Sequence, residues 1–249
     1  MKALLSSTYF GPIQWYQKLN RYDECLIERH ESFIKQTYRN RMLIPTTNGP
    51  LSLTIPTNHN TSLAMKDIRI SDHANWRHVH WNALLSAYGE SPFFEYYQDD
   101  IRPFYEKKYE FLFDFNMEIT EKMIELLDIR PKISVTNEYI QSEELKVKSI
   151  ESKELKVKSE EFNGLANHKV QSSNLKVQSK EVQSKEVQSK EVQSIVDFRE
   201  AIRPKKPLPD AEFESKRYYQ VYEQKFGFQP NMSILDLLFN EGNEAIFYL

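Results

Sequence analysis

A lone cysteine, Cys25, stands among 249 residues, so the chain can close no intrachain disulfide and complete no cysteine-based zinc site. No stretch approaches the ~20 apolar residues that span a bilayer, and the apolar run in the opening MKALLSSTYF is too short for a signal-peptide core. Together these shortages point to a reducing compartment, the cytoplasm. Basic side chains are not in excess: 33 Lys and Arg face 36 Asp and Glu, for a net charge of −3. Duplex-binding proteins draw much of their affinity from neutralising phosphates, so nucleic acid is disfavoured as a partner. Single-strand stacking on Tyr, Phe and Arg is a minor third class. Phosphate-binding glycine loops, an HExxH pair and a GxSxG elbow are all missing. The sequence therefore names no cofactor and no metal site.

What is present falls into two kinds of sequence. Residues 142–194 repeat short units: ELKVKS twice, NLKVQS once, and KEVQS three times in succession at 180–194. A five-residue period fits neither the 3.6 of a helix nor the 2 of a strand, so no continuous apolar face forms. The tract reads as a low-complexity insertion without a core of its own. Its 10 Lys and 9 Glu nearly balance, which leaves the rest mildly acidic. That remainder, 1–141 with 195–249, is expected to make one domain.

The expected class is α/β, with α+β left open: a mixed sheet that starts from an N-terminal β-α-β unit and a hairpin, packed by several helices. ALLSSTYF and ECLIE read as strands around an amphipathic segment with Trp15, Tyr16 and Leu19, a unit most simply parallel and right-handed. Asn48-Gly49 between two apolar runs is the strongest hairpin signal and suits a type I′ turn. DIRIS and KISVT read as further strands. A helix is expected over 73–88, capped by Asp72 or Asn75 and ended by Gly89 in the left-handed conformation. Ser91-Pro92 then starts another, Asn116 caps a third, ESKRYYQVYEQKF makes a fourth, and Ser233 with Asp236 forms a capping box for ILDLLFN.

On the 73–88 helix, Trp76, His80, Ala83 and Ala87 share one stripe, so His80 points inward, while His78 lies on the polar arc with Asn82 and Ser86. His80 is the candidate catalytic residue, a general base whose pKa burial lowers; Glu31, Asp99 or Asp100 could be its partner. The bland alternative is a core histidine that fills space beside Trp76. Arg39 and Arg41, two apart on an extended segment, could grip one phosphate or carboxylate, with Tyr38, Tyr9 and Tyr16 as natural neighbours; Gln14 and Trp76 complete the candidate ligand-binding set. The opposing reading is a strand with an exposed charged face.

The segments STYFGPIQWY, YRNRMLI, LTIP, NWRHVHWNALLSAYGESPFFEYY and FGFQPNMSILDLLFNEG, in that order, resemble the WbqC-like family. The resemblance covers most of 3–130 and 216–242 and leaves the repeats outside. It implies a place in surface polysaccharide (O-antigen type) biosynthesis and a nucleotide-linked sugar or glycan intermediate as partner. Two roles are implied, an enzyme that modifies such a sugar or a non-catalytic binding protein of the same pathway. Many members open with His-Gln-Pro, where this chain has Ser6, Ser7 and Thr8.

Overall fold

The computed structural model describes residues 1–58, 63–141 and 194–249. Strand β1 (Lys2–Ser6), helix α1 (Ile13–Arg21) and strand β2 (Glu24–Glu28) form the expected β-α-β unit, with β1 and β2 parallel from Lys2 opposite Glu24 to Ser6 opposite Glu28. Ala3, Leu4 and Leu5 are fully buried, the run of apolar residues that a strand covered on both faces requires. Strand β7 (Ile133–Val135) adds parallel to β2, and β8 (Ile195–Asp197) lies beside β1, which gives a parallel sheet in the order β7-β2-β1-β8. The fold is thus α/β. KISVT sits at an edge of the sheet, as its sequence suggests.

The hairpin forms from β3 (Arg41–Ile44) and β4 (Leu51–Thr54), antiparallel, but as a two-stranded sheet of its own. Its turn is not type I′. Gly49 has a φ of 98°, whereas Asn48 is not in the positive region, and the chain crosses in a longer loop closed between Thr46 and Gly49. DIRIS contributes β6 (Arg69–Ile70), paired with β5 (Thr57–Asn58) in a third small sheet.

Helix α2 (Trp76–Tyr88) follows a 3-10 turn at His73–Asn75. Neither Asp72 nor Asn75 caps it with a side chain, and Gly89 stays right-handed at φ −56°. The next helices are α3 (Phe94–Ile101), α4 (Pro103–Glu106) and α5 (Leu112–Leu126). Ser91 does not cap α3, which begins three residues later. Asn116 lies inside α5 with its amide donating to the Arg39 carbonyl at 2.8 Å and to Ser7 Oγ at 3.2 Å, so it ties the helix to the segments just after β1 and just before β3.

The C-terminal segment departs most from expectation. Only α6 (Glu223–Phe226) is helical within ESKRYYQVYEQKF. The rest is irregular, its side chains claimed from elsewhere: Tyr218 by Asp236, and Gln220 by the Gln229 backbone and Asp236. Helix α7 (Ile234–Glu241) is capped by Ser233, whose Oγ accepts from Leu235 N. Ile234, Leu235, Leu237, Leu238 and Phe239 are fully buried, each worth about 1.5–3 kcal/mol. Asp236 completes no capping box, since its carboxylate accepts from Tyr218 and Gln220.

The two ends of the chain are laced together. Ile13 N donates to the Met232 carbonyl at 3.1 Å, Ile234 N to Gly11 at 2.9 Å, and Ser233 Oγ to Phe10 at 2.8 Å. Contacts divide the chain into two units, Met1–Ile140 with Val196–Leu249, and Gln141–Ile195. The site described next lies wholly in the first. The repeat tract 142–194 falls, apart from Ser194, outside the described residues. Among those residues no helix is long and apolar enough to cross a membrane.

Candidate functional site

The helical wheel places the α2 histidines correctly. Trp76 and His80 are each only 4% exposed, whereas His78 and Asn82 are exposed and bond each other at 2.9 Å. His80 Nδ1 lies 2.9 Å from the Tyr9 hydroxyl, which lies 2.9 Å from that of Tyr105. Tyr9 enters from the segment after β1, His80 from α2 and Tyr105 from α4, so three separate stretches meet here. The Trp76 ring stands edge-on to the imidazole at 5.2 Å, and Tyr9 stacks on it at 5.8 Å. Burial lowers the His80 pKa to about 4, and a hydrogen bond to the Thr54 backbone only partly opposes this. His80 is therefore neutral at physiological pH. A neutral Nδ1 that accepts from Tyr9, which in turn accepts from Tyr105, satisfies all three groups.

The partners proposed from sequence for His80 are not those found. Glu31 is engaged with Arg39, and Asp99 and Asp100 line a separate surface depression with Glu118 and Lys122. Tyr105 and Thr54 take their place. Neither could be picked out by spacing, because each reaches His80 through tertiary packing.

Of the candidate binding residues, Arg41 belongs to this region and Arg39 and Gln14 do not. Arg41 Nε donates at 3.0 Å to Thr54 Oγ1, the residue opposite it in the hairpin and the one whose backbone meets His80. Arg39 precedes the strand, in a turn, so the two-residue alternation that would pair it with Arg41 fails. Its guanidinium forks onto Glu31, Nε to Oε1 at 2.7 Å and Nη2 to Oε2 at 2.5 Å, with both residues buried. Ser6 Oγ donates to the same carboxylate at 3.1 Å. Close by, Arg199 pairs with Asp197 at 2.7 Å and approaches the fully buried Glu28 at 3.7 Å. These ions gather at the carboxyl ends of β1, β2 and β8, where open α/β sheets commonly bind ligands. Here a cavity of about 10 Å³ remains, room for about one water. Gln14 is committed to Asp210 at 2.8 Å and to Asn231, beside the buried Lys18–Asp210 pair.

Cys25 is buried on β2, its thiol pushed up to about 12 by burial and donating to the Lys18 carbonyl at 3.5 Å rather than to His80. Among the described residues no three His, Cys, Asp or Glu side chains cluster to hold a metal ion.

Tyr105 is the most exposed member of this buried chain, at 6%. It lines a groove of about 370 Å³ between α2 and α4, with Arg77, His78 and Trp81 on one wall and Arg102 and Lys108 on the other. A ligand in that groove would meet the Tyr105 side chain, and behind it Tyr9 and His80.

A family model described as the WbqC-like protein family matches residues 7–162 and 207–248. The uncharacterised protein Rv1507c of Mycobacterium tuberculosis is 26% identical over 250 residues, covering 99% of this chain and 96% of its own. No solved structure matches.

Proposed function

The chain belongs to the WbqC-like protein family, and from that membership we propose that it acts in surface polysaccharide biosynthesis on a nucleotide-linked sugar. The observation that carries a chemical role is the continuous hydroxyl chain from Tyr105, at the groove, through Tyr9 to a neutral His80. In this reading substrate binding uncovers the buried Tyr105 oxygen toward the groove, where it takes the proton of a substrate hydroxyl. Tyr105 passes its own to Tyr9, and Tyr9 passes its own to His80 Nδ1. The substrate oxygen is left as the nucleophile and the imidazole becomes imidazolium. Trp76 and Tyr9 hold the ring in place, and the hydrogen bond to Thr54 favours its charged form.

A second reading, a non-catalytic binding protein of the same pathway, is favoured by the depth of His80. A base with a pKa near 4 lies well below the value best suited to proton transfer at neutral pH. The two readings separate on turnover. Purified protein is incubated with nucleotide sugars, and product is followed by mass spectrometry for the parent, Tyr105→Phe and His80→Gln. The enzyme reading expects both substitutions to lower turnover by about 10²-fold or more while the fold is kept. Parent-level turnover in both variants would sink His80 as the base, and binding without turnover in the parent would favour the second reading.

A further inference from the structure

The groove between α2 and α4 carries more positive charge than its neighbours neutralise. Arg77, Arg102 and Lys108 bring three fixed cations to its walls, against the one lining carboxylate of Glu106, which pairs with Arg102 at 2.6 Å. Asp72, outside the lining, takes Arg77 Nη1 at 2.5 Å and Lys108 Nζ at 3.0 Å. That one carboxylate is shared between two cations. The Nε and Nη2 groups of Arg77 are buried and have no hydrogen-bond partner. Buried donors of this kind are rarely left unpaired, and a small turn of the side chain toward the groove would let a bound acceptor satisfy them. The guanidinium also lies 4.6 Å from the Trp76 ring centre, which restrains its plane.

The backbone contributes in the same sense. No side chain caps the N-terminus of α2 and no acidic residue lies in its first turn, so only Asp72, already shared between Arg77 and Lys108, offsets the positive end of the helix dipole. Just before it, Ala74 and Asn75 hold φ angles of 66° and 45°, a strained entry of the kind found around ligand sites. Aromatic surface completes the groove: the Trp81 and Tyr105 rings lie 5.8 Å apart at a 39° tilt.

We propose that this groove is a binding subsite for a phosphoryl or diphosphate group, held by Arg77, Lys108 and Arg102, on a ligand whose ring rests against Trp81. The proposal deepens the reading above and rests on it only in placing the ligand's reacting end at Tyr105. Phosphate binding itself requires no catalysis. It also reassigns the anion-gripping role that the sequence suggested for Arg39, whose guanidinium is already occupied by Glu31.

The test is calorimetric titration of the full chain with inorganic pyrophosphate and, separately, with uridine diphosphate. Saturable pyrophosphate binding is expected, weakening as ionic strength rises, and about tenfold weaker in Lys108→Ala for the loss of one charge-assisted contact. Arg77→Gln is expected to weaken it further. Lys108 is exposed, so Lys108→Ala keeps the fold and carries the test even if Arg77→Gln does not fold. Tighter binding of the nucleotide than of pyrophosphate supports the contact with Trp81, and equal binding overturns that part. Absence of saturable binding, or binding that Lys108→Ala leaves unchanged, overturns the whole. His80→Gln should still bind pyrophosphate, so the catalytic reading fails on turnover while this one fails on binding.

Discussion

Two buried titratable groups pull the stability of this protein in opposite directions across the same pH range. His80 has its pKa lowered from 6.5 to about 4, chiefly by burial. The folded state thus binds fewer protons than the unfolded chain between those values, and stability rises with pH there. The contribution is fully present above pH 6.5 and lost as pH falls through 4. Asp236 behaves the other way: burial pushes it up from 3.8 to about 6 despite hydrogen bonds from Tyr218 and Gln220. Its contribution is fully present below pH 3.8 and lost as pH rises through 6. At 1.36 kcal/mol per pH unit and proton, each amounts to roughly 3 kcal/mol. The two nearly cancel between pH 4 and 6. Urea unfolding of the parent, Asp236→Asn and His80→Gln, measured from pH 4 to 7, exposes the hidden slopes. The stability of Asp236→Asn relative to the parent should climb by roughly 3 kcal/mol over that range. The advantage of the parent over His80→Gln should grow by a similar amount. A difference curve for Asp236→Asn that stays level would refute the claim that burial dominates the titration of Asp236.

Other consequences of the structure can be checked in the same way. Glu31→Gln leaves the buried Arg39 guanidinium without its counter-charge and should cost about 3–5 kcal/mol in urea unfolding; a loss under ~1 kcal/mol would show that Arg39 finds another partner. Gly242→Ala adds a Cβ 2.8 Å from the Phe93 ring at a φ of 55°, so its melting temperature should fall by several degrees, and an unchanged value would contradict that close approach. If 142–194 is an insertion, replacing it with a linker of roughly eight Gly and Ser residues should leave the melting temperature within a few degrees. The flanks support this, since Arg199 Nη2 donates to the Ile140 carbonyl at 2.8 Å and so holds the outgoing chain close to the end of β8. Loss of cooperative unfolding in the shortened chain would place the domain boundary elsewhere.

Sequence reasoning succeeded where a short segment settles its own structure. ECLIE matches β2 residue for residue, the Asn48-Gly49 region turns a hairpin, and the wheel of α2 separates His80 from His78. It failed where a distant partner decides. The aromatic spacing in ESKRYYQVYEQKF suits a helix, yet Tyr218 and Gln220 are tied to Asp236 and the segment before Glu223 is irregular. Asn116 has the character of a cap, but at mid-helix its amide is taken by the carbonyl of Arg39. At the candidate site, spacing puts Trp76 and His80 on one stripe, whereas Tyr9, expected beside Arg39 and Arg41, meets His80 instead, and Arg41 approaches through Thr54. Tyr105 and Arg77, the residues that link this cluster to the groove, carried no signal. Tyr105 is one of 14 tyrosines, and Arg77 is marked only by its place next to Trp76.

The lacing of the first and last segments bears on how the protein is made. Helix α1 emerges from the ribosome well before the residues that cover it: Met232 to Ile234, and the carbonyls of Tyr248 and Leu249 that accept from Gln17 and Arg21, follow it by more than 200 residues. Until then Trp15, Tyr16 and Leu19 have no finished surroundings, and the nascent chain must wait with an incomplete core. Loss of residues 232–249 therefore removes the clasp on the N-terminal segment, which would give quality-control proteases a direct means of telling such chains from folded ones.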